Sequence, residues 1–120
     1  MYSSVPFKNE FRFKDRLDEA KRVLTIYPDR IPVICERSLT APYDCPIIDK
    51  RKYLVPKDLT MGQFLYVIRT RLKLSSEKAL FLFINSTIPA TSTLMNKIYE
   101  KHKSDDYYLY ITYTQENTFG

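Results

Sequence analysis

The stretch from Asp49 to Leu74, DKRKYLVPKDLTMGQFLYVIRTRLKL, constrains this chain more than any other. It reads as a strand, a tight connection and a helix. Tyr53, Leu54 and Val55 favour extended backbone. Pro56 has no N–H, so the strand ends there or sits where no ladder partner is needed. Thr60 is placed to cap a helix, and Gln63 three residues on completes a capping-box pattern. Phe64, Val67, Ile68 and Leu72 then give one apolar helical face. A helix patterned this way must be covered, and the apolar segments on either side of it read as the covering sheet.

Around this unit the other elements follow from periodicity. Phe7, Phe11 and Phe13 make an aromatic N-terminal segment expected to pack back onto the fold. Phe13, Leu17, Ala20, Leu24 and Tyr27 form a helical stripe that Pro28 stops. Glu19 and Val23 lie to one side of that stripe, placed to border a groove. RIPVICE at 30–36 reads as a strand, with Pro32 arguing against full central pairing along its length. Residues 38–46 hold Pro42, Asp44 and Pro46 and read as a loop longer than a minimal hairpin turn. The Lys50–Val55 strand begins with three cations, which suits a sheet edge that remains open to one more strand. ALFLFI at 79–84 shows no alternation and reads as a buried strand. Thr91 is placed to cap a short helix carrying Leu94, Met95, Ile98 and Tyr99. YYLYITY at 107–113 is the clearest strand, with Leu109, Ile111 and Tyr113 on one face and Tyr108, Tyr110 and Thr112 on the other.

The order helix, strand, strand, helix, strand, short helix, strand describes an α+β domain. It fits a β-grasp sheet with a helical extension in front, and a ferredoxin-like arrangement is the alternative. The hairpin before the first long crossover favours the grasp. At 120 residues the chain makes about one domain, and its composition, 44% hydrophobic and 28% charged, is that of a globular protein. No run approaches a spanning helix and no signal peptide is visible. Cys35 and Cys45 read as reduced thiols, and Asn85-Ser86-Thr87 as a turn.

The formal charge is +5, and it is concentrated: residues 47–80 carry eight basic and three acidic side chains. That favours acidic peptides, anionic lipid or nucleic acid as partners. Nucleic-acid binding rests only on Lys50, Arg51 and Lys52 beside Tyr53 and on Arg69 and Arg71, and strand tyrosines usually serve packing; no nucleic acid is expected. Catalysis has little to work with. His102 is the one histidine, neither cysteine has a C-x-x-C partner, and Asp105-Asp106 are adjacent in a turn. No metal and no cofactor is expected. Peptide binding has better geometry: an extended peptide pairing with Lys52–Leu54 and dropping side chains into adjacent apolar pockets.

Several segments are specific beyond such patterns. RIPVICE at 30–36, IDKRKYLVP at 48–56, DLTMGQF at 58–64 and NTFG at 117–120 closely resemble the autophagy-related ubiquitin-like modifiers of the GABARAP type. YVIRTRLKL, EKALFLFIN and LYITY continue the match, which runs in order from about Phe7 to Gly120. The resemblance implies a ubiquitin-like β-grasp core at 29–114, a helical extension with two helices at 1–28, and a flexible conjugation tail at 115–120. It implies a protein that is not an enzyme. Such modifiers are attached through a C-terminal glycine to phosphatidylethanolamine on autophagosomal membranes, by an activating-type and a conjugating-type enzyme. They recruit cargo receptors and other autophagy factors through aromatic-x-x-aliphatic motifs. A cysteine protease processes or deconjugates them, and they reside in the cytoplasm until lipidated.

Carried onto this chain, the resemblance makes Gly120 the conjugated residue and Phe119 part of its recognition tail. A first pocket would involve Glu19, Val23, Pro32, Ile34, Lys52, Leu54 and Tyr108. A second would involve Tyr53, Val55, Pro56, Leu59, Phe64 and Val67. Arg30 and Arg71 would meet acidic or polar parts of the ligand, and Phe81 and Phe83 match the conjugation and membrane side. Three departures stand out: Ser75-Ser76 where relatives have a proline pair, a 38–47 loop about two residues longer than in short relatives, and Tyr108 in place of a phenylalanine. The chain as given ends on Gly120, as expected of a processed form or of a member needing no priming cut.

Overall fold

The computed structural model describes residues 5–117, without the side chain of Asn117. A single turn, α1 (Phe7–Glu10), leads into α2 (Phe13–Ile26). Strand β1 (Arg30–Arg37) pairs antiparallel with β2 (Lys52–Pro56). The chain then crosses through α3 (Met61–Leu72) to β3 (Lys78–Phe83), and through α4 (Met95–His102) to β4 (Leu109–Asn117). The sheet order is β2-β1-β4-β3, with β1 and β4 parallel at its centre. This is the β-grasp, with β2 at one edge and both expected N-terminal helices present.

The crossover helix forms where its sequence places it, although Val67 of the expected apolar face is exposed and Met61 is buried in addition. The Gln63 N–H donates to Thr60 Oγ1 at 3.2 Å and the Thr60 N–H to Gln63 Oε1 at 2.8 Å, a complete capping box. Phe64 and Ile68 are buried against the sheet beside Met61. Each such side chain contributes about 1.5–3 kcal/mol by leaving water. At the helix start, backbone from the 89–95 segment presses close. The Gly62 N–H donates to Thr91 O at 2.9 Å, and a Cβ at 62 would meet Thr91 at 3.2 Å.

Alternation along the strands divides the interior into two. Ile31, Val33, Cys35, Val55, Leu109, Ile111 and Tyr113 face α3 and α4 in the larger core. Phe7, Ala20, Ile34 and Tyr108 form a second cluster on the opposite face, under α1 and α2, with Tyr110 packed against it. Leu109, Ile111 and Tyr113 thus share one face of β4 as expected and Tyr108 and Tyr110 the other side, but the strand starts at Leu109 rather than at Tyr107, which turns with positive φ, and Thr112 is exposed. Pro32 is accommodated because β1 begins to pair with β4 only at Val33↔Leu109.

Five further expectations are corrected. The buried residues of α2 are Arg16 and Ala20, with Glu19 and Val23 half-buried beside them, whereas Phe13 and Tyr27 of the expected stripe are exposed. An arginine on the buried face is what displaced the reading. β2 starts at Lys52 and includes Pro56, so the connection from β1 covers 38–51. β3 alternates: Leu80 and Leu82 are buried while Ala79, Phe81 and Phe83 are half-exposed, because β3 is the second sheet edge. Thr91 does not cap α4, whose N-cap is Leu94; its carbonyl serves Gly62 instead. Finally, β4 continues through Gln115 to Asn117, with Gln115 opposite Leu80 and 3% exposed, so the flexible tail expected from 115 does not begin there. The segment from Gln115 lacks an apolar pattern, yet Gln115 is buried beside Asp44 and Cys45.

Candidate functional site

The β2 edge is open in a defined way. Arg51 O accepts from the Cys35 N–H at 2.8 Å, and the Lys57 N–H donates to Asp29 O at 3.1 Å. Hydrogen-bonding direction alternates along a strand. Odd residues of β2 therefore bond to β1, and Lys52 and Leu54 turn their N–H and C=O groups outward. Pro56 also faces outward, which is why a proline is tolerated inside this strand. Side chains alternate too, so β2 separates two apolar regions.

On the α2 side, Lys52 lies opposite Ile34 and Leu54 opposite Pro32. Ile34, Pro32 and Tyr108 are buried, Leu54 and Val23 half-buried. Lys52 Nζ reaches across to Glu19 Oε1 at 2.7 Å and lies 5.8 Å from the Phe7 ring. Tyr108 packs edge-on to Phe7 at 5.4 Å. Burial, then the nearby Glu19 carboxylate, pushes its phenol above the ordinary tyrosine range. Six of the seven residues expected in the first pocket thus lie on or against this face of β2, and Val23 is half-buried one turn beyond Glu19 on α2.

On the α3 side, Tyr53 stands edge-on to Phe64 at 5.6 Å, above buried Val55. Leu59 and Pro56 are half-buried, and Val67 is 42% exposed. Next to Val67 opens a cavity of about 520 Å³, lined by Asp49, Tyr66, Val67, Thr70, Arg71 and Lys73. Arg71 is held there by both Asp49 oxygens, at 2.8 and 3.3 Å, and the guanidinium lowers the Asp49 pKa. Arg30 is exposed at the start of β1, opposite Pro56. Phe81 and Phe83 lie apart from all of these, on β3 at the far edge of the sheet. Phe119 and Gly120 fall outside the described residues.

Sequence reasoning missed the supports of the site. Asp49 orients Arg71. Arg51 was read as an edge cation, yet it anchors α1: it pairs with Glu10, donates to Val5 O at 2.9 Å and stacks over Phe7 at 5.2 Å. Glu36 accepts from the Phe7 N–H at 2.8 Å, although burial raises its pKa. These partners are 22 to 46 residues apart in sequence, beyond the reach of any periodic signal.

The architecture has a close counterpart. The crystal structure of Trypanosoma brucei ATG8 superposes with a TM-score of 0.87 at 41% identity, covering 98% of this chain and 100% of that one. The family model for "Autophagy protein Atg8 ubiquitin like" matches residues 15–120. The chain belongs to the Atg8 family. Autophagy-related protein 8 of Schizosaccharomyces pombe is 59% identical over 114 residues, 95% of this chain and 93% of the relative. That of Mycosarcoma maydis is 58% identical over 114 residues, 95% of each chain. This Atg8-family chain is accordingly a ubiquitin-like modifier of autophagy. Among its described residues no helix is long and apolar enough to cross a membrane.

Proposed function

We propose that this Atg8-family protein is a non-enzymatic adaptor with two working parts. Its β2 edge receives short aromatic-x-x-aliphatic motifs of cargo receptors and autophagy factors, and Gly120 is joined to phosphatidylethanolamine. The observation carrying the first part is the outward backbone of Lys52 and Leu54, set between two apolar regions. A peptide strand added there places one side chain toward Ile34, Leu54 and Tyr108 and a later one toward Tyr53, Leu59 and Val67. Lys52, Arg30 and Arg71 offer positive charge to acidic flanks.

The second part is supported by family membership together with the position of β4, which ends the described chain three residues before Gly120. Glycine leaves its carbonyl open to attack by the lipid amine, and two acyl chains then hold a protein stably on a bilayer. The partners are an activating-type enzyme, a conjugating-type enzyme and a cysteine protease that processes or deconjugates the modifier. The protein moves between cytoplasm and autophagosomal membrane. The test is reconstitution with both enzymes, ATP and phosphatidylethanolamine vesicles, read by intact mass. One lipid is gained at Gly120 and none by the chain lacking it; no adduct from enzymes active on another family member overturns the reading.

A further inference from the structure

The β1–β2 loop lies at the same end of the sheet as the close of β4. β1 and β4 run parallel, with Arg37 opposite Tyr113, so both leave the sheet in one direction. The Ser38 N–H donates to Tyr113 O at 2.8 Å. Asn117 pairs with Lys78, and Lys78 holds Asp44 of the loop at 3.2 Å. Thr40 and Pro42 share a cavity of about 480 Å³ with Thr114 and Glu116. On this tethered loop, Leu39 is 89% and Tyr43 103% exposed, the most exposed large apolar side chains among the described residues. Isolated exposed apolar residues need no explanation. These two flank the uncharged run Thr40-Ala41-Pro42 beside the close of β4.

We propose that Leu39 and Tyr43 form a membrane-inserting tip that enters the bilayer to which Gly120 is attached. The inference rests on the conjugation reading. Gly120 is the third residue after Asn117, and three extended residues span at most about 10 Å. A lipid at Gly120 therefore brings the bilayer surface close to the loop fastened beside Asn117. Leucine then supplies acyl-chain contact, and tyrosine sits with its ring in the headgroup layer and its hydroxyl in water. No charge lies between residues 38 and 43, and the first one after them, Asp44, is already paired with Lys78. Within residues 38–44 the insertion therefore strips water from no unpaired ion.

The test separates the tip from the conjugation enzymes. A Gly120→Cys protein is tethered chemically to a maleimide-bearing lipid; the native Cys35 and Cys45 are buried. The chain has no tryptophan, so Tyr43→Trp reports on the tip alone. Emission shifts to the blue and is quenched by brominated acyl chains once the protein is tethered. On a single-chain tether, which holds a protein only marginally, Leu39→Ser with Tyr43→Ser lowers vesicle partitioning about tenfold. Solvent-like emission from tethered protein, or equal partitioning, overturns the proposal. So does emission that shifts only when the conjugating-type enzyme is added, which assigns the tip to a protein. Failure of enzymatic conjugation in a parallel reaction strikes the conjugation reading instead, and the tethered protein still decides the tip.

Discussion

Arg16 and Asp106 stand 90 residues apart in sequence and meet at 2.9 Å, with side chains 10% and 1% exposed. Arg16 also donates through Nη1 to Lys8 O at 3.0 Å and Phe11 O at 2.6 Å, closing the α1–α2 junction. Asp106 accepts from the Tyr108 N–H at 3.0 Å and from the Tyr110 hydroxyl at 2.5 Å, closing the turn before β4. This ion pair thus ties the helical extension to the turn before β4, beside the Arg51–Glu10 and Lys52–Glu19 pairs. Removing Asp106 alone strands a buried guanidinium, so Asp106→Leu destabilises by about 3–5 kcal/mol. Arg16→Met combined with Asp106→Leu recovers part of that loss, because the orphaned charge is gone. Urea unfolding of the single and double variants measures this; a double variant no more stable than the single one contradicts the account.

Leu54 tests the peptide edge. It is half-buried and contributes its side chain to the α2 side while its backbone faces the incoming strand. Leu54→Asp removes apolar contact and puts a carboxylate against the ligand, so affinity for an acidic Trp-x-x-Leu peptide falls at least about tenfold. Calorimetric titration at one fixed salt concentration reads the effect, and unchanged affinity would remove Leu54 from the site.

The Glu19–Lys52 pair separates stability from recognition. Its side chains are 34% and 47% exposed, so the 2.7 Å contact stabilises the fold by less than about 1 kcal/mol. Lys52→Met leaves the unfolding midpoint nearly unmoved. It weakens an acidic peptide more at low salt than at high salt, where screening has already removed much of the attraction. Salt-independent weakening would instead make Lys52 a packing residue.

Buried tyrosines set the alkaline limit. Burial pushes Tyr99 up to about 12 from its ordinary 10.0, and its hydroxyl donates to Tyr107 O at 2.7 Å. Burial raises Tyr53, Tyr108, Tyr110 and Tyr113 as well. Above the unfolded value, unfolded chains have lost phenolic protons that the folded protein keeps. Unfolding then releases protons, and stability falls as pH rises from about 10 toward about 12. Denaturant midpoints across that range trace the fall, and Tyr99→Phe makes it shallower.

The thiols are inert while the fold stands. Cys35 is fully buried and Cys45 is 2% exposed, and burial raises both pKa values. An exposed-thiol reagent labels neither residue in native buffer and both in denaturant. Native-state labelling at the unfolded rate would mean the loop over Cys45 opens freely.

The parts of the fold legible in the sequence were those written in local periodicity. The Thr60–Gln63 cap, the Phe64–Ile68 face and the two faces of β4 all needed only near neighbours. Arg16 was illegible because its partner is Asp106, and a charged residue on a buried face breaks the stripe on which a helix is read. The end of β4 was misplaced for a similar reason, since Gln115 looks like tail until Leu80 is set opposite it. The pattern offered an open edge and Glu19 and Val23 bordering a groove, while the full membership of the two regions on either side of β2 came from the resemblance. The structure sets Ile34, Lys52, Leu54 and Glu19 on one side of that edge and Tyr53, Val55 and Phe64 on the other.

The parallel pairing of β1 with β4, Val33 opposite Leu109, also governs how the protein is made. The first strand synthesised waits for the last before the centre of the sheet can close. A nascent chain still holding residues 109–117 in the ribosomal tunnel has its hairpin and crossover helix outside, with no strand to complete the core. Folding by such distant contacts is slow for a chain of this size. A chain that stops before Leu109 leaves β1 an exposed edge, open to aggregation.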